Sequence, residues 1–197
     1  GIGAVPHEDA VGLTVAGDIS ASGGFLGGTT TTTTGQPTGS YDFPGAIMGY
    51  TVLGNAIGHV TYNLTTSFDI PDADMHIVFV APKSGIVEIE LQVLHDGGSG
   101  GSGDVTIGLA TDTSETTLGT TYEKGVVGSP RFDHLNINHK WVVQGLTAGT
   151  TYQYWFMAKT SNTSGTPKLL WGGTSSGRYS DFIMKAVALP SNAAIET

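Results

Sequence analysis

Histidine binds metals and transfers protons near neutral pH, so the histidines are the first residues to test for chemistry. The sequence has six, at His7, His59, His76, His95, His134 and His139. They form no H-E-x-x-H pair and no compact set of ligands along the chain. The spacing therefore predicts no metal site and no cofactor, and we interpret these histidines as isolated surface or core residues.

Two pairs of carboxylates have spacings that a site could use. Asp72 and Asp74 offer the oxygen ligands that calcium prefers, but no calcium-loop pattern follows, which favours turn capping. Glu88 and Glu90 lie on one face of a predicted strand, roughly 7 Å apart by strand rise. Because glycoside hydrolysis needs carboxyl groups on opposite sides of the scissile bond, we interpret this pair as a solvated strand face.

The remaining catalytic patterns lack the sequence context that their chemistry needs. The glycine-rich stretch Asp96–Asp104 has no following lysine and no helix of the kind that a phosphate-binding loop needs. The pattern G-x-S-x-G occurs at 97–101 and 173–177, but in Gly- and Ser-rich loops rather than in the strand–turn–helix context that a nucleophile elbow needs. We therefore predict that the protein is not an enzyme, with a glycosidase as the last alternative.

One stretch has residues suited to binding. Ser161–Asp181 contains Trp171, Arg178 and Tyr179 among small polar residues. Flat aromatic rings beside a guanidinium and hydroxyl groups suit the faces and edges of carbohydrates, and tryptophan also anchors protein interfaces. The alternative is that Trp171 closes the core and Tyr179 packs beside it, since large aromatic residues are mostly buried.

The composition limits the partners of the 197-residue chain. Seventeen acidic and eight scattered basic residues give a net charge of −9, which argues against nucleic acid, because phosphates require clustered Lys and Arg. The sequence has no cysteine and no apolar run of the length that crosses a bilayer. We expect no disulfide, no membrane insertion and no secretory leader.

Thirty glycines and repeated alternation of apolar and polar residues predict short strands joined by turns. The clearest is Val87–Val93, in which every second residue is apolar. Further strands are predicted at 60–65, 75–80, 105–109, 139–145, 151–159, 168–171 and 181–189. About eight strands at this spacing indicate a sandwich or jelly roll.

Residues 1–55 differ from the rest, because they are poor in apolar residues and carry six consecutive threonines at 29–34. Such a stretch forms no core of its own and is either a linker or a segment that wraps symmetry mates. Gly1-Ile2-Gly3 with the LTVAGDISASG stretch at 13–23 resembles the shaft element of trimeric phage tail fibres and related adhesins. The resemblance implies a virion component that contacts other virion proteins through its N-terminal segment.

Two local motifs carry further resemblances. Residues 79–87, FVAPKSGIV, resemble the strand–turn–strand entrance of trimeric jelly rolls in the complement-head and tumour-necrosis-factor superfamily. Residues 146–152, LTAGTTY, resemble the corner of fibronectin-type sandwiches, where a tyrosine hydroxyl bonds to the backbone across the arch. Both imply an antiparallel sandwich, and neither implies an activity.

Two predicted strands are apolar on both faces. In the first strand, Tyr154 and Phe156 alternate with Trp155 and Met157. In the second, Phe182 and every second residue after it face one way, whereas Ile183 and Val187 face the other. Contiguous exposed apolar surface usually marks an interface. We predict a subunit interface, with central strands between two layers as the alternative. The residues predicted at the interface are Trp155, Met157, Ile183 and Val187.

We therefore predict an all-β protein with an extended shaft or attachment segment at 1–55 and an antiparallel β-sandwich or jelly-roll head at 56–197, assembled as a homotrimer. The predicted location is the surface of a phage particle. The favoured role is that of a fibre or spike component that attaches to a host-surface glycan or protein. The alternatives are a capsid decoration or head-fibre protein that stabilises the particle, and a carbohydrate-binding module.

Overall fold

The computed structural model describes residues 43–54, 58–98, 105–114, 124–126, 134–173 and 178–192. All of them belong to one compact unit, Tyr41–Thr197. The predicted shaft element and most of the predicted attachment segment lie outside the described residues. The described residues form strands and turns and no helix, which confirms the predicted all-β class.

The described part of the chain has ten strands, and the predicted strands agree with most of them. The predicted strand at 139–145 is displaced, since the observed strand begins at His134 and ends at Val143. In chain order the strands are β1 (Ile47–Leu53), β2 (Val60–Asn63), β3 (His76–Val80), β4 (Val87–Asp96), β5 (Val105–Ala110), β6 (Lys124–Val126), β7 (His134–Val143), β8 (Thr151–Thr160), β9 (Lys168–Trp171) and β10 (Phe182–Ala188).

The strands form two antiparallel sheets that pack as a β-sandwich. The large sheet has six strands in the order β1-β10-β4-β9-β2, with β7 paired to the other side of β4. The small sheet has four strands in the order β3-β8-β5-β6. Because β4 pairs with β10 along its first half and with β9 at its end, it joins the two halves of the large sheet.

The core lies between the inner faces of the two sheets. In β4 the side chains of Val87, Ile89, Leu91 and Val93 are buried, whereas the residues between them are partly exposed. Apolar residues at every second position place one face of a strand in the core and the other toward solvent. The predicted register of β4 is therefore confirmed. The small sheet supplies facing residues such as Phe156, which is fully buried.

Strand β1 comes from sequence that we assigned to the N-terminal segment, yet it pairs with β10 in the large sheet. A register irregularity lies between Ile47 and Gly49. At Gly49 the strand passes very close to β3, because a Cβ added there would lie 2.5 Å from the carbonyl oxygen of Val78. Glycine permits this approach between an edge strand of each sheet.

The predicted tyrosine corner is present between β7 and β8. The backbone N–H of Thr147 donates a hydrogen bond to the Tyr152 hydroxyl, 3.0 Å away. Gly145 and Gly149 have φ values of 76° and 78° on either side of Thr147, a region that glycine adopts without strain. The hydroxyl of Tyr152 thus holds the turn that leads into β8.

We expect Gly49→Ala to lower the free energy of unfolding by about 1–3 kcal/mol, the usual cost of overpacking. The new methyl group would meet backbone rather than the end of a flexible side chain, so the strands must move apart. Gly58→Ala is the matched control, because a Cβ at Gly58 meets no atom within 4 Å. Urea unfolding of both variants measures the difference, and equal stabilities would contradict the close approach of β1 to β3.

We expect Tyr152→Phe to lower the free energy of unfolding by about 0.5–1.5 kcal/mol, the net contribution of one hydrogen bond. The loss is modest because Thr147 is exposed, so water can replace the missing acceptor. Thermal unfolding followed by circular dichroism measures it. A variant as stable as the parent chain would mean that the hydroxyl contributes nothing to the corner.

Candidate functional site

Trp171 does not lie on the surface. It is 2% exposed and belongs to the core cluster, and in β9 it pairs with Val60 of β2. Its ring therefore packs between the sheets and cannot stack on a ligand. This placement corresponds to the alternative that we gave for Trp171, and it removes one of the three predicted binding residues from the surface.

Tyr179, by contrast, contacts two histidine rings. Its ring centroid is 4.9 Å from that of His59, nearly perpendicular to it, and 5.2 Å from that of His134, stacked at 30°. Both histidines are exposed and Tyr179 is half-buried. Edge-to-face and offset stacked rings at such distances attract each other. We name His59, Tyr179 and His134 the histidine–tyrosine cluster.

The segment that carries Tyr179 is fixed at two points. The N–H of Tyr179 donates to the carbonyl oxygen of Gly172, at 3.0 Å. The hydroxyl of Ser180 donates to Oδ1 of Asn136 in β7, at 2.7 Å. Asn136 is the cross-strand neighbour of Leu94 on the outer face of β4. The segment therefore lies over the outer face of the large sheet, where a rigid scaffold holds the cluster.

An ion pair lies beside the cluster. The carboxylate of Asp96 is 3.3 Å from Nζ of Lys168 and 3.8 Å from Nε2 of His134. Its other oxygen accepts a hydrogen bond of 2.8 Å from the N–H of Gly98. Burial alone would raise the pKa of Asp96, but the hydrogen bonds from Gly98 and Lys168 lower it. Asp96 is therefore a fixed anion that orients both Lys168 and the first residue of β7.

Arg178 precedes Tyr179 and is exposed. With His59 and His134 it adds planar nitrogen donors to the surface around Tyr179. Flat rings with polar edges, held on a sheet, can contact the apolar face of a sugar while donors meet its hydroxyl groups. Of the predicted binding residues, the structure thus brings Arg178 and Tyr179 to this surface. It adds the two histidines, which lie far from Tyr179 and from each other in the sequence.

The residues predicted at a subunit interface separate into two groups. Met157 is 1% exposed and forms a small cluster with Phe68 and Ala110, against which Trp155 packs. The chain itself therefore covers this outer face of β8, and Met157 is inaccessible to a partner. Ile183 and Val187 lie half-buried on the outer face of β10. Ile183 and Val187 pair with the exposed residues Val52 and Ile47 of β1, whereas half-buried Trp155 shares the outer face of the small sheet with exposed Val78.

The two carboxylate pairs have structural roles. The carboxylate of Asp72 accepts the N–H of Asp74 at 3.0 Å, which is the predicted capping of a turn. Glu88 and Glu90 both bind Nζ of Lys140 at 2.8 Å on the solvated face of β4. Within the described ranges, no three His, Asp or Glu side chains converge as a metal site requires. In the same residues no helix is long and apolar enough to span a membrane.

Comparison with known proteins assigns the chain to no family. No protein-family model matches the chain. No curated protein matches it significantly. Any statement about function therefore depends on the residues and contacts of the chain itself.

His95 gives the site region a pH dependence. Its side chain is 2% exposed, with Leu135 and Leu169 as cross-strand neighbours, and Nε2 has no hydrogen-bond partner among the described residues. Burial lowers the pKa of His95 from 6.5 to about 4, although nearby Asp96 opposes the shift. The unfolded chain therefore binds a proton at a higher pH than the folded chain does.

We expect this difference to destabilise the fold as the pH falls from about 6.5 to about 4, by up to about 3 kcal/mol in total. The stabilisation that comes from neutral His95 is fully present above about pH 6.5. It is lost below about pH 4, where stability no longer changes with the protonation of His95. His95→Leu should remove this part of the pH dependence, while the carboxylates titrate alike in both proteins. Urea unfolding at several pH values measures the difference, and parallel stability curves would show that His95 is not held neutral.

Proposed function

We propose that the protein is a non-enzymatic fibre or spike subunit of a phage particle, and that its β-sandwich head binds a host-surface carbohydrate. The virion context is supported by the shaft-like N-terminal sequence. The binding role is supported by one structural observation, the contact of the Tyr179 ring with both His59, edge to face, and His134, stacked.

The chemistry of the cluster favours a sugar over a flat apolar ligand. The rings offer a small apolar face, whereas the neighbouring side chains are polar or charged: Asn136, Ser180, Arg178, Lys168 and Asp96. A carbohydrate presents the same combination, with an apolar C–H face and hydroxyl groups around its edge. Loops and segments held by a rigid scaffold are also where binding function concentrates.

A host-surface protein is the alternative partner for the head. The cluster favours carbohydrate because its exposed rings are surrounded by hydrogen-bonding groups rather than by further large apolar side chains. A protein interface normally has a desolvated apolar centre. If the protein decorates the capsid instead, the cluster needs no glycan ligand. A glycan-binding measurement therefore distinguishes the decoration role from the attachment role.

We expect Tyr179→Ala to weaken binding about two- to tenfold to whichever oligosaccharides the parent chain binds on an array of bacterial surface glycans. Loss of one ring contact corresponds to about 0.5–1.5 kcal/mol, and about 1.4 kcal/mol is a tenfold change in affinity. His134→Ala should act in the same direction. Gln144→Ala is the control, because Gln144 is exposed just beyond the opposite end of β7.

Circular dichroism melting of each variant separates loss of binding from loss of folding. A folded Tyr179→Ala chain that binds the array as the parent does would place the recognition surface elsewhere. A parent chain that binds no glycan would favour the decoration role.

A further inference from the structure

The outer face of the small sheet has an indole ring at its surface, that of Trp155. The other two tryptophans of the chain, Trp141 and Trp171, are each 2% exposed. Phe68 covers this face at Met157, but Trp155, two residues earlier in β8, remains partly exposed. A tryptophan on a rigid sheet offers a flat apolar surface with a polar edge. Trp155 is therefore the tryptophan that a ligand can reach.

Two polar side chains lie next to Trp155 on this face. His76 of β3 is its cross-strand partner, and the centroids of the two rings are 6.1 Å apart, with 47° between the ring planes. Gln153 is the preceding outward residue of β8 and pairs with Val78. Because cross-strand partners and alternate residues of a strand share a face, the three side chains belong to one surface. We name Trp155, His76 and Gln153 the indole platform.

The hydrogen-bonding groups of the indole platform are open to a ligand. Nε1 of Trp155, Nε2 of His76 and the Gln153 amide form no hydrogen bond with any described residue, and all of them reach solvent. Nδ1 of His76 lies 3.0 Å from the carbonyl oxygen of Ala73. Because a carbonyl only accepts, Nδ1 carries the proton, and Nε2 of the neutral ring is an acceptor. The platform therefore presents a donor, an acceptor and an amide that is both.

Charged residues border the indole platform without lying in it. Lys159, four residues after Trp155 in β8, has its ammonium group 4.2 Å from the centroid of the Phe68 ring. The segment that leads into β3 carries three aspartates, Asp69, Asp72 and Asp74. Three carboxylates and one ammonium group, on a chain of net charge −9, repel an anionic ligand. An uncharged ligand therefore fits this face better than an acidic one.

Apolar and polar side chains alternate across this face. Val78, which is 44% exposed, lies beside Gln153, and Trp155 lies beside His76. A protein interface normally has a continuous apolar centre from which water is excluded. A sugar ring instead combines an apolar C–H face with hydroxyl groups, each of which can donate and accept a hydrogen bond. The alternation therefore favours an uncharged carbohydrate over a protein.

We propose that the indole platform is a second carbohydrate-binding site, selective for uncharged sugars. The sugar stacks on the Trp155 ring, and the N–H at the edge of the ring donates to a hydroxyl group. Nε2 of His76 and the Gln153 amide bind neighbouring hydroxyl groups. The site is independent of the histidine–tyrosine cluster, because β3 and β8 belong to the small sheet and Tyr179 lies over the large one.

Tryptophan fluorescence of the full chain tests the proposal, with uncharged oligosaccharides of glucose, galactose, mannose and N-acetylglucosamine as probes. We expect at least one of them to change the emission and to protect it from quenching by acrylamide. Gln153→Ala should raise the dissociation constant about two- to tenfold, the usual effect of one hydrogen bond. Gln144→Ala is the matched control, because Gln144 is an exposed glutamine just beyond β7 of the large sheet.

Trp155→Phe provides a second variant. It keeps an aromatic ring against Ile70 but removes the indole N–H. We expect the dissociation constant, measured by titration calorimetry, to rise about two- to tenfold. The change in emission should disappear, because the two tryptophans that remain are buried. Circular dichroism melting shows whether each variant is folded.

Four results would overturn the proposal. The uncharged probes could leave the emission of the parent chain unchanged. The change in emission could persist in Trp155→Phe, which would mean that another site causes it. Folded Gln153→Ala could bind as the parent does, which would place the site elsewhere. Finally, the emission could depend on protein concentration alone, which would mean that a second copy covers Trp155. Glycan binding through Tyr179 is measured separately and would be unaffected by any of these results.

Discussion

The alternation of apolar and polar side chains in β4 is the constraint on which the rest of the large sheet depends. This strand pairs with β7 along one side and with both β10 and β9 along the other. Its inner residues therefore fix the register of three neighbours at once, and a shift by one residue would bring Glu88 and Glu90 into the core. The outer face carries the ion pairs of Glu88 and Glu90 with Lys140 at its beginning and Asp96, beside the histidine–tyrosine cluster, at its end.

Strands with strict alternation could be predicted from the sequence because only one of their faces is apolar, as in β4. β9 could not be interpreted in this way, since Leu169, Leu170 and Trp171 are all buried. Consecutive apolar residues do not indicate which face meets the core, and so the position of Trp171 depended on the pairing of β9 with β4. The strand at 47–53 was not assigned to the head, because its partner, β10, lies more than a hundred residues later.

The candidate site was predictable only in part, for a related reason. Arg178 and Tyr179 lie together in the sequence, whereas His59 and His134 meet Tyr179 only because β2 and β7 belong to the same sheet. Such long-range contacts leave no spacing pattern in a single sequence. The two strands that are apolar on both faces show the same limit. The second face of β8 is covered by Phe68 from its own chain, whereas that of β10 lies beside the exposed residues Tyr50 and Val52 of β1.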